Sequence, residues 1–390
     1  MKRPVLLLGW IPRIIVPVAR SLCRRGIPVD VASFAPTPRI PSRAISEFRS
    51  VPRPDIDQAE FVGQMRRFIA ERGHDLLLFA DDWMLTAVME HYDEFKDLAQ
   101  IGCPPPAITR LVLDKIATLK VAQACGIEVP RTEVVASSSE LNDLVGRFPF
   151  PWVVKPAQKE TRIEEVKSCR VTTSDEVAAR FSAGRKFEPA MLAQQFCAGI
   201  GVGVEMLMYQ GECIASFQHR RLKESPYTGG VSVIAVAEAV NRDLMQSSLA
   251  LLRALQWEGV AMVEYKVDAD GRAVLMEVNG RYWGTISLPI FAGVDFPWYH
   301  WQLVHGERPQ IPTTYSIGTK WRWTAGYFER LYGVLARTRR LPGAREVFWD
   351  DFRRASTDFS PSVYDATFSL SDPAPAIADF LRTMSYVVSH

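Results

Sequence analysis

Apolar residues in the first hundred positions fall into short unbroken runs separated by longer amphipathic stretches. VLLLG (5–9), PVDVAS (28–33) and DLLLFA (75–80) read as buried strands. RIIVPVARSLCRRG (13–26), stopped by Gly26, and a stretch around 57–72 read as helices. Buried strands alternating with helices predict βαβ units and a parallel, doubly wound sheet, the α/β class. Such sheets bind ligands beyond the carboxyl ends of their strands. Gly9 and the acidic pair Asp81 and Asp82 stand at such ends. No GxGxxG follows the first strand, so a dinucleotide site is not expected.

The triple proline 104–106 closes this region, and ITRLVLDKIATLKVAQACG (108–126) predicts one helix. Strand patterns then dominate: PWVVKP (151–156), AMLAQQF (190–196), GVGVEMLMY (201–209), ECIASFQHR (212–220) and VSVIAVAE (231–238). A helix over 242–256 precedes GVAMVEYKVD (259–268) and RAVLMEVNG (272–280). DADG joins these two as a hairpin turn, with Asp270 and Gly271 expected to supply positive φ angles. YWGTISLPIFAGVDFPW (282–298) is expected to begin a helix beneath them, with Trp283 and Phe291 in the core.

That hairpin sets Glu264 beside Glu277. Alternate residues of a strand share a face, so Glu277, Asn279 and Arg281 point together. Two carboxylates and an amide oxygen form a cradle suited to Mg²⁺, which takes its remaining ligands from phosphate and water. Arg281 is placed to meet an anionic phosphoryl group. The competing reading is two solvated glutamates and a surface arginine. Lys155, ending the apolar WVVKP strand, and Lys115, after Asp114, are cations that could reach phosphate oxygens.

A chain of 390 residues exceeds one ordinary core and suits two or three domains. Its net charge of +2 gives no global attraction to nucleic acid or anionic lipid. No run of about 18 apolar residues occurs to span a bilayer. MKRPVLLLGWIP is too short in its apolar part for a signal peptide and reads as a first strand. The six cysteines show no CxxC pair and no zinc-like spacing, which fits reduced thiols in the cytoplasm.

In their order, LDKIATLKVAQACGIEVP, PWVVKP, LAQQFCAGIGVGVEML, HRRLKESPYTGGVS, GVAMVEYKVD and LMEVNGRYWG resemble the ATP-grasp superfamily. The resemblance covers about 105–310. FQHRRLKESPYTGGVS looks like the carboxylate–amine ligase branch, near the carbamoyl phosphate synthetase large subunit in fold. It implies an N-terminal Rossmann-like domain (1–105), a small lobe with a linker helix (106–188), a large lobe with the metal site (189–310) and a C-terminal extension (311–390). It implies a ligase that activates a carboxylate as an acyl phosphate with ATP and joins it to an amine. Glu264, Glu277 and Asn279 would be ligands of Mg²⁺, with Mn²⁺ as a substitute. Lys115 and Lys155 would lie on the nucleotide phosphates, and Gln194, Gln195 and Phe196 would form the hinge strand against adenine. Arg281, with Arg221 and Lys155, would serve the reacting groups.

The sequence also departs from that family. The loop AQKETRIEEVKSC lacks the glycines of a phosphate flap, so Lys159, Arg162 or Lys167 would substitute with side chains. Gln195 stands where glutamate is common. Glu205 is a candidate for the ribose, against a plain outward-facing strand glutamate, and His219 is counted with the nucleotide-binding residues. His219, Arg220 and Arg221 end a strand before the turn ESPYTGGVS. Arg221 or Arg220 would face phosphate there, and Tyr227 to Ser232 would shape a substrate loop hinged at Gly229 and Gly230. Asp81, Asp82 and Trp83 are candidates for substrate contact, though a helix N-cap explains either aspartate as well.

The basic and aromatic stretch within 318–349 is expected to pack on the core; a second reading lays it on a membrane surface. Small-molecule carboxylate and amine substrates, and a homodimer, are the expected partners, with no nucleic acid. The alternatives are an ATP-grasp carboxylation or carbamoylation enzyme and a non-catalytic nucleotide-binding regulatory protein.

Overall fold

The chain builds three sheets in a computed structural model that describes residues 2–159, 169–181, 184–227, 229–337 and 343–389. The first sheet is parallel, with β1 (Val5–Leu8), β2 (Val29–Phe34), β3 (Glu47–Val51), β4 (Leu76–Phe79) and β5 (Gln100–Ile101) in the order β3-β2-β1-β4-β5. Every residue of β1 and β4 is buried, because helices cover both faces. The strand order reverses at β1 and β4, and a crevice forms beyond their carboxyl ends. Gly9 and Asp81 meet there: a Cβ on Gly9, whose φ is +139°, would fall 2.5 Å from an Asp81 carboxylate oxygen. Asp81 accepts from the amides of Trp10 (3.0 Å) and Met84 (2.9 Å), so it caps the helix Asp82–Glu90.

The stretch expected as one helix over 108–126 is two, Pro106–Leu113 and Lys115–Ala124. Asp114 leaves the helical region, and its carboxylate accepts from the amides of Ile116 (2.8 Å) and Ala117 (3.0 Å). The new N-terminus starts at Lys115.

The second sheet is antiparallel, with β6 (Thr132–Ser137), β7 (Trp152–Pro156), β8 (Cys169–Val171) and β9 (Lys186–Gln195) in the order β6-β9-β7-β8. The strand β9, which straddles 188/189, lies wholly in this sheet. The third sheet contains β10 (Ile200–Tyr209), β11 (Glu212–Ser225), β12 (Val231–Glu238), β13 (Gly259–Val267), β14 (Ala273–Asn279), β15 (Lys320–Arg322) and β16 (Val363–Asp365). Their order is β14-β13-β10-β11-β12-β15-β16, so two strands of the C-terminal stretch extend the sheet. No helix among the described residues is long and apolar enough to cross a membrane.

Three local expectations are corrected. β11 continues to Ser225 through bulges at 221–224, so His219, Arg220 and Arg221 lie inside the ladder and not at a strand end. In the β13–β14 turn only Gly271 takes a positive φ (+83°). Asp268 accepts from the amides of Asp270 and Arg272 and closes the turn without Asp270 leaving its ordinary conformation. Trp283 is fully buried, but Phe291 is 36% exposed and stacks on Tyr364 at 4.5 Å, outside the core.

Gly280 separates Asn279 from Arg281 and lies against the buried Trp257; a Cβ there would fall 2.3 Å from the indole. Gly280→Ala is expected to destabilise the fold by about 1–3 kcal/mol through overpacking, read from chemical denaturation.

Candidate active site

Glu264 of β13 and Glu277 of β14 are direct partners in the antiparallel ladder. On the other side Glu264 faces Gly203 of β10, which in turn faces His219 of β11. The two glycines of GVGVE (201–205) make this row work. A Cβ on Gly201 would fall 2.7 Å from the Arg221 side chain, and one on Gly203 would fall 2.5 Å from the His219 ring. With no side chains there, Arg221 lies flat over β10 and reaches Glu264 at 2.5 Å. The same guanidinium donates to Glu224 (3.2 Å) and to the Gly230 carbonyl (3.1 Å).

Glu277 is surrounded by ammonium groups. Burial pushes its carboxyl up, but Lys159, Lys155 and Lys115 together outweigh that and hold it at about 2. Its Oε1 also accepts from Asn279 Nδ2 (3.1 Å). Burial raises Glu264, opposed by Arg221 and reinforced by Glu277. Burial also lowers Lys155, and it lowers Lys115 to about 8 against the pull of Glu277. Lys115 donates to the carbonyls of Pro156 (2.9 Å) and Gln158 (3.3 Å), which ties the helix to the second sheet. Lys159 donates to the Val278 carbonyl, bringing the second sheet onto β14.

Arg281 carries the network to the first sheet. It donates to Asp82 (2.8 Å), Asn279 Oδ1 (3.1 Å) and the Tyr282 carbonyl (3.0 Å). Burial pushes Asp82 up, and Arg281 and Lys159 more than reverse that. Of the two aspartates that a helix N-cap could explain, Asp81 is the cap and Asp82 belongs to this cluster. Among the described residues, Lys115, Lys155, Lys159, Arg221 and Arg281 act on Asp82, Glu264 and Glu277, and Arg221 also holds Glu224. Arg221 Nε, Arg281 Nε and Asp82 Oδ1 are buried without a hydrogen-bond partner. This arrangement can accept a polyanion, and a divalent cation with it. Among the described residues no three or more His, Cys, Asp or Glu side chains cluster to hold a metal, so a cation here would rest on two carboxylates and the Asn279 amide.

The remaining sequence candidates are spread more widely. Gln194 is buried in the second sheet and donates to Thr132 Oγ1 (2.9 Å). The amides of Gln195 and Phe196 donate to the carbonyls of Arg131 (2.8 Å) and Pro151 (3.0 Å), fixing the turn between the second and third sheets. Arg170 lies over the Phe196 ring at 3.9 Å. Glu205 is not the outward-facing glutamate of the plain reading: it is fully buried and bonded to His219, and both cover Gly203. Strand alternation turns Arg220 to the opposite face, where it pairs with Glu238, so Arg221 alone of that pair faces the cluster. Gly230 is tightly packed, with a Cβ position 2.2 Å from the Ser225 carbonyl oxygen. Arg162, Lys167 and Thr228 lie outside the described residues. Two glycines at alternate positions of a strand signal a close approach on one face, and this is the part Gly201 and Gly203 play.

A family profile described as "ATP-grasp in the biosynthetic pathway with Ter operon" matches residues 187–326. A D-alanine–D-alanine ligase of Bordetella petrii (strain ATCC BAA-461 / DSM 12804 / CCUG 43448) is 25% identical over 229 residues, covering 55% of this chain. The chain spans 65% of that relative's length, just under two thirds. Among solved structures, an L-amino acid ligase from Bacillus licheniformis superposes with a TM-score of 0.60 at 17% identity, over 78% of this chain and 74% of that one. An ADP complex of N5-carboxyaminoimidazole ribonucleotide synthetase gives 0.62 at 12% identity, over 82% and 80%. At such identities the structural likeness shows a shared fold.

A phosphate group meets Lys115 best as an ammonium, the form that prevails below about pH 8 in the free protein. Affinity for a nucleoside triphosphate, read by fluorescence titration, is expected to fall as pH rises through 8, by up to about tenfold per pH unit. Lys115→Arg is expected to remove that fall, because a guanidinium keeps its proton.

Proposed function

We propose that this chain is an ATP-grasp enzyme that uses ATP to activate a small carboxylate and joins it to an amine. The observation that carries this reading is the convergence on the ladder pair Glu264 and Glu277 of cations from the second sheet, the third sheet and the helix Lys115–Ala124. In the first step a carboxylate oxygen attacks the γ-phosphorus and ADP leaves. In the second the amine nitrogen attacks the acyl carbon, phosphate leaves, and the amide retains the acid's carbonyl oxygen.

Each group has a place in that scheme. Glu264, Glu277 and Asn279 would hold Mg²⁺, with Mn²⁺ as a substitute; bound there, the metal neutralises phosphate charge. Lys115, Lys155 and Lys159 hold the phosphates as point charges. Arg221 and Arg281 face the transferred phosphoryl group and the acid, where preformed donors stabilise charge that develops in the transition state. The turn at Gln194, Gln195 and Phe196 lies against adenine. Glu205 and His219 are assigned to the floor of the site and not to the ribose, because they bond each other over Gly203. No side-chain nucleophile is needed, since the phosphoryl donor itself activates the acid. Six free cysteines support a reducing, cytoplasmic setting.

Hydroxylamine traps an acyl phosphate as a hydroxamate, so the acceptor need not be known. With MgATP and a panel of amino acids and other small carboxylic acids, ADP and one hydroxamate are expected together. Glu277→Gln and Glu264→Gln are each expected to lower this turnover by about 10²-fold or more. An absence of ATP binding in the unmodified protein would overturn the proposal.

A further inference from the structure

A second guanidinium waits at the crevice. Arg13 opens the helix Pro12–Cys23, immediately beyond the carboxyl end of β1. Its Cζ lies 4.1 Å from the Trp323 ring, whose Nε1 donates to Asp379 Oδ2 at 2.7 Å. On its other side is Gly284, three residues past Arg281, where a Cβ would fall 3.0 Å from Arg13 Nε. Arg13 is therefore held in place by a C-terminal tryptophan and approached by bare backbone.

Its charge is not locally balanced. Arg281 is supplied with Asp82 at 2.8 Å, but no hydrogen bond or ion pair joins Arg13 to another described residue. Asp379 and Glu329 act on it only from a distance, and Arg281 acts against it. Burial, followed by these charges, brings its basicity down to about 10. Through Gly284 the segment carrying Arg281 comes against Arg13, the Arg281 charge acts against that of Arg13, and Arg281 Nε is itself buried without a partner. A carboxylate held by both would relieve the repulsion, and a guanidinium is a planar fork suited to a carboxylate.

We infer that Arg13 is a substrate-binding residue that holds the reacting carboxylate of the small acid against Arg281, with Trp323 of the C-terminal stretch fixing its guanidinium. This rests on the ligase reading for the fate of the acid, but not for its binding. The stack also gives residues beyond 310 a part in the site: Trp323 and Asp379 form the wall behind the cation.

Binding can be read without turnover. Acetate, propionate, L-alanine, D-alanine and 3-phenylpropionate, each against chloride at equal ionic strength, are tested for a rise in the melting temperature of the full chain. At least one acid is expected to raise it, Arg13→Met to abolish that rise, and Arg13→Lys to retain part of it. In the hydroxamate assay Arg13→Met is expected to raise the KM for that acid at least tenfold and to leave the KM for ATP within twofold. An equal rise in Arg13→Met, or none with any of these acids in the unmodified protein, overturns the assignment. If Arg13→Met does not fold, Arg13→Lys decides: an unchanged midpoint and unchanged acid dependence overturn it, and a weakened acid dependence with intact ATP binding supports it. Acid binding through Arg13 without ADP release would keep this site and reject the ligase.

Discussion

Two carboxylates opposite each other on adjacent strands repel, and much of this molecule is arranged around supplying them with positive charge. Glu264 receives Arg221, which crosses β10 only because Gly201 and Gly203 leave its path bare. Glu277 receives three ammonium groups from outside its own sheet. The ladder pair is therefore stable only in the assembled protein. It couples the third sheet to the second through Lys115, Lys155 and Lys159, and to the first through Arg281 and Asp82. The charge pattern acts as the joint between the parts.

That joint gathers cations away from water. Taking an ammonium from water is costly, which is why Lys115 and Lys155 hold their protons less tightly than they would outside. A polyanion carrying a cation completes the balance, so the desolvation cost is recovered when the ligand binds and not when the chain folds. In the proposed reaction that binding energy goes to holding phosphates and acid in line, where catalysis of phosphoryl transfer needs it.

The C-terminal stretch takes part in the same economy of charge. Its strands β15 and β16 continue the third sheet, and Trp323, directly after β15, stacks on Arg13 of the first. Asp372 is bonded by Arg20 and Ser42, so the last helix begins on the N-terminal domain. Residues distant in the chain thus close the crevice from behind.

Periodicity alone identified the parallel sheet, the β-rich middle and the Glu264–Glu277 hairpin, because burial of one face or both writes directly into the order of apolar residues. That Glu277, Asn279 and Arg281 come together was legible for the same reason, because alternation on a strand puts them on one face. Sequence could not show that Asp114 breaks a helix in mid-pattern, since a cap replaces backbone bonds without disturbing the apolar period. Nor could it show that Glu205 turns inward to His219, that Asp82 reaches Arg281, or that Arg13 lies between Trp323 and Gly284. Those relations join residues far apart in the chain, and a single charged residue carries no mark of its partner. The sequence by itself determined which strands form and which face of each is polar. Only the tertiary structure decided which charges meet, because Coulomb interactions and desolvation depend on distances that exist once three sheets have closed on one crevice.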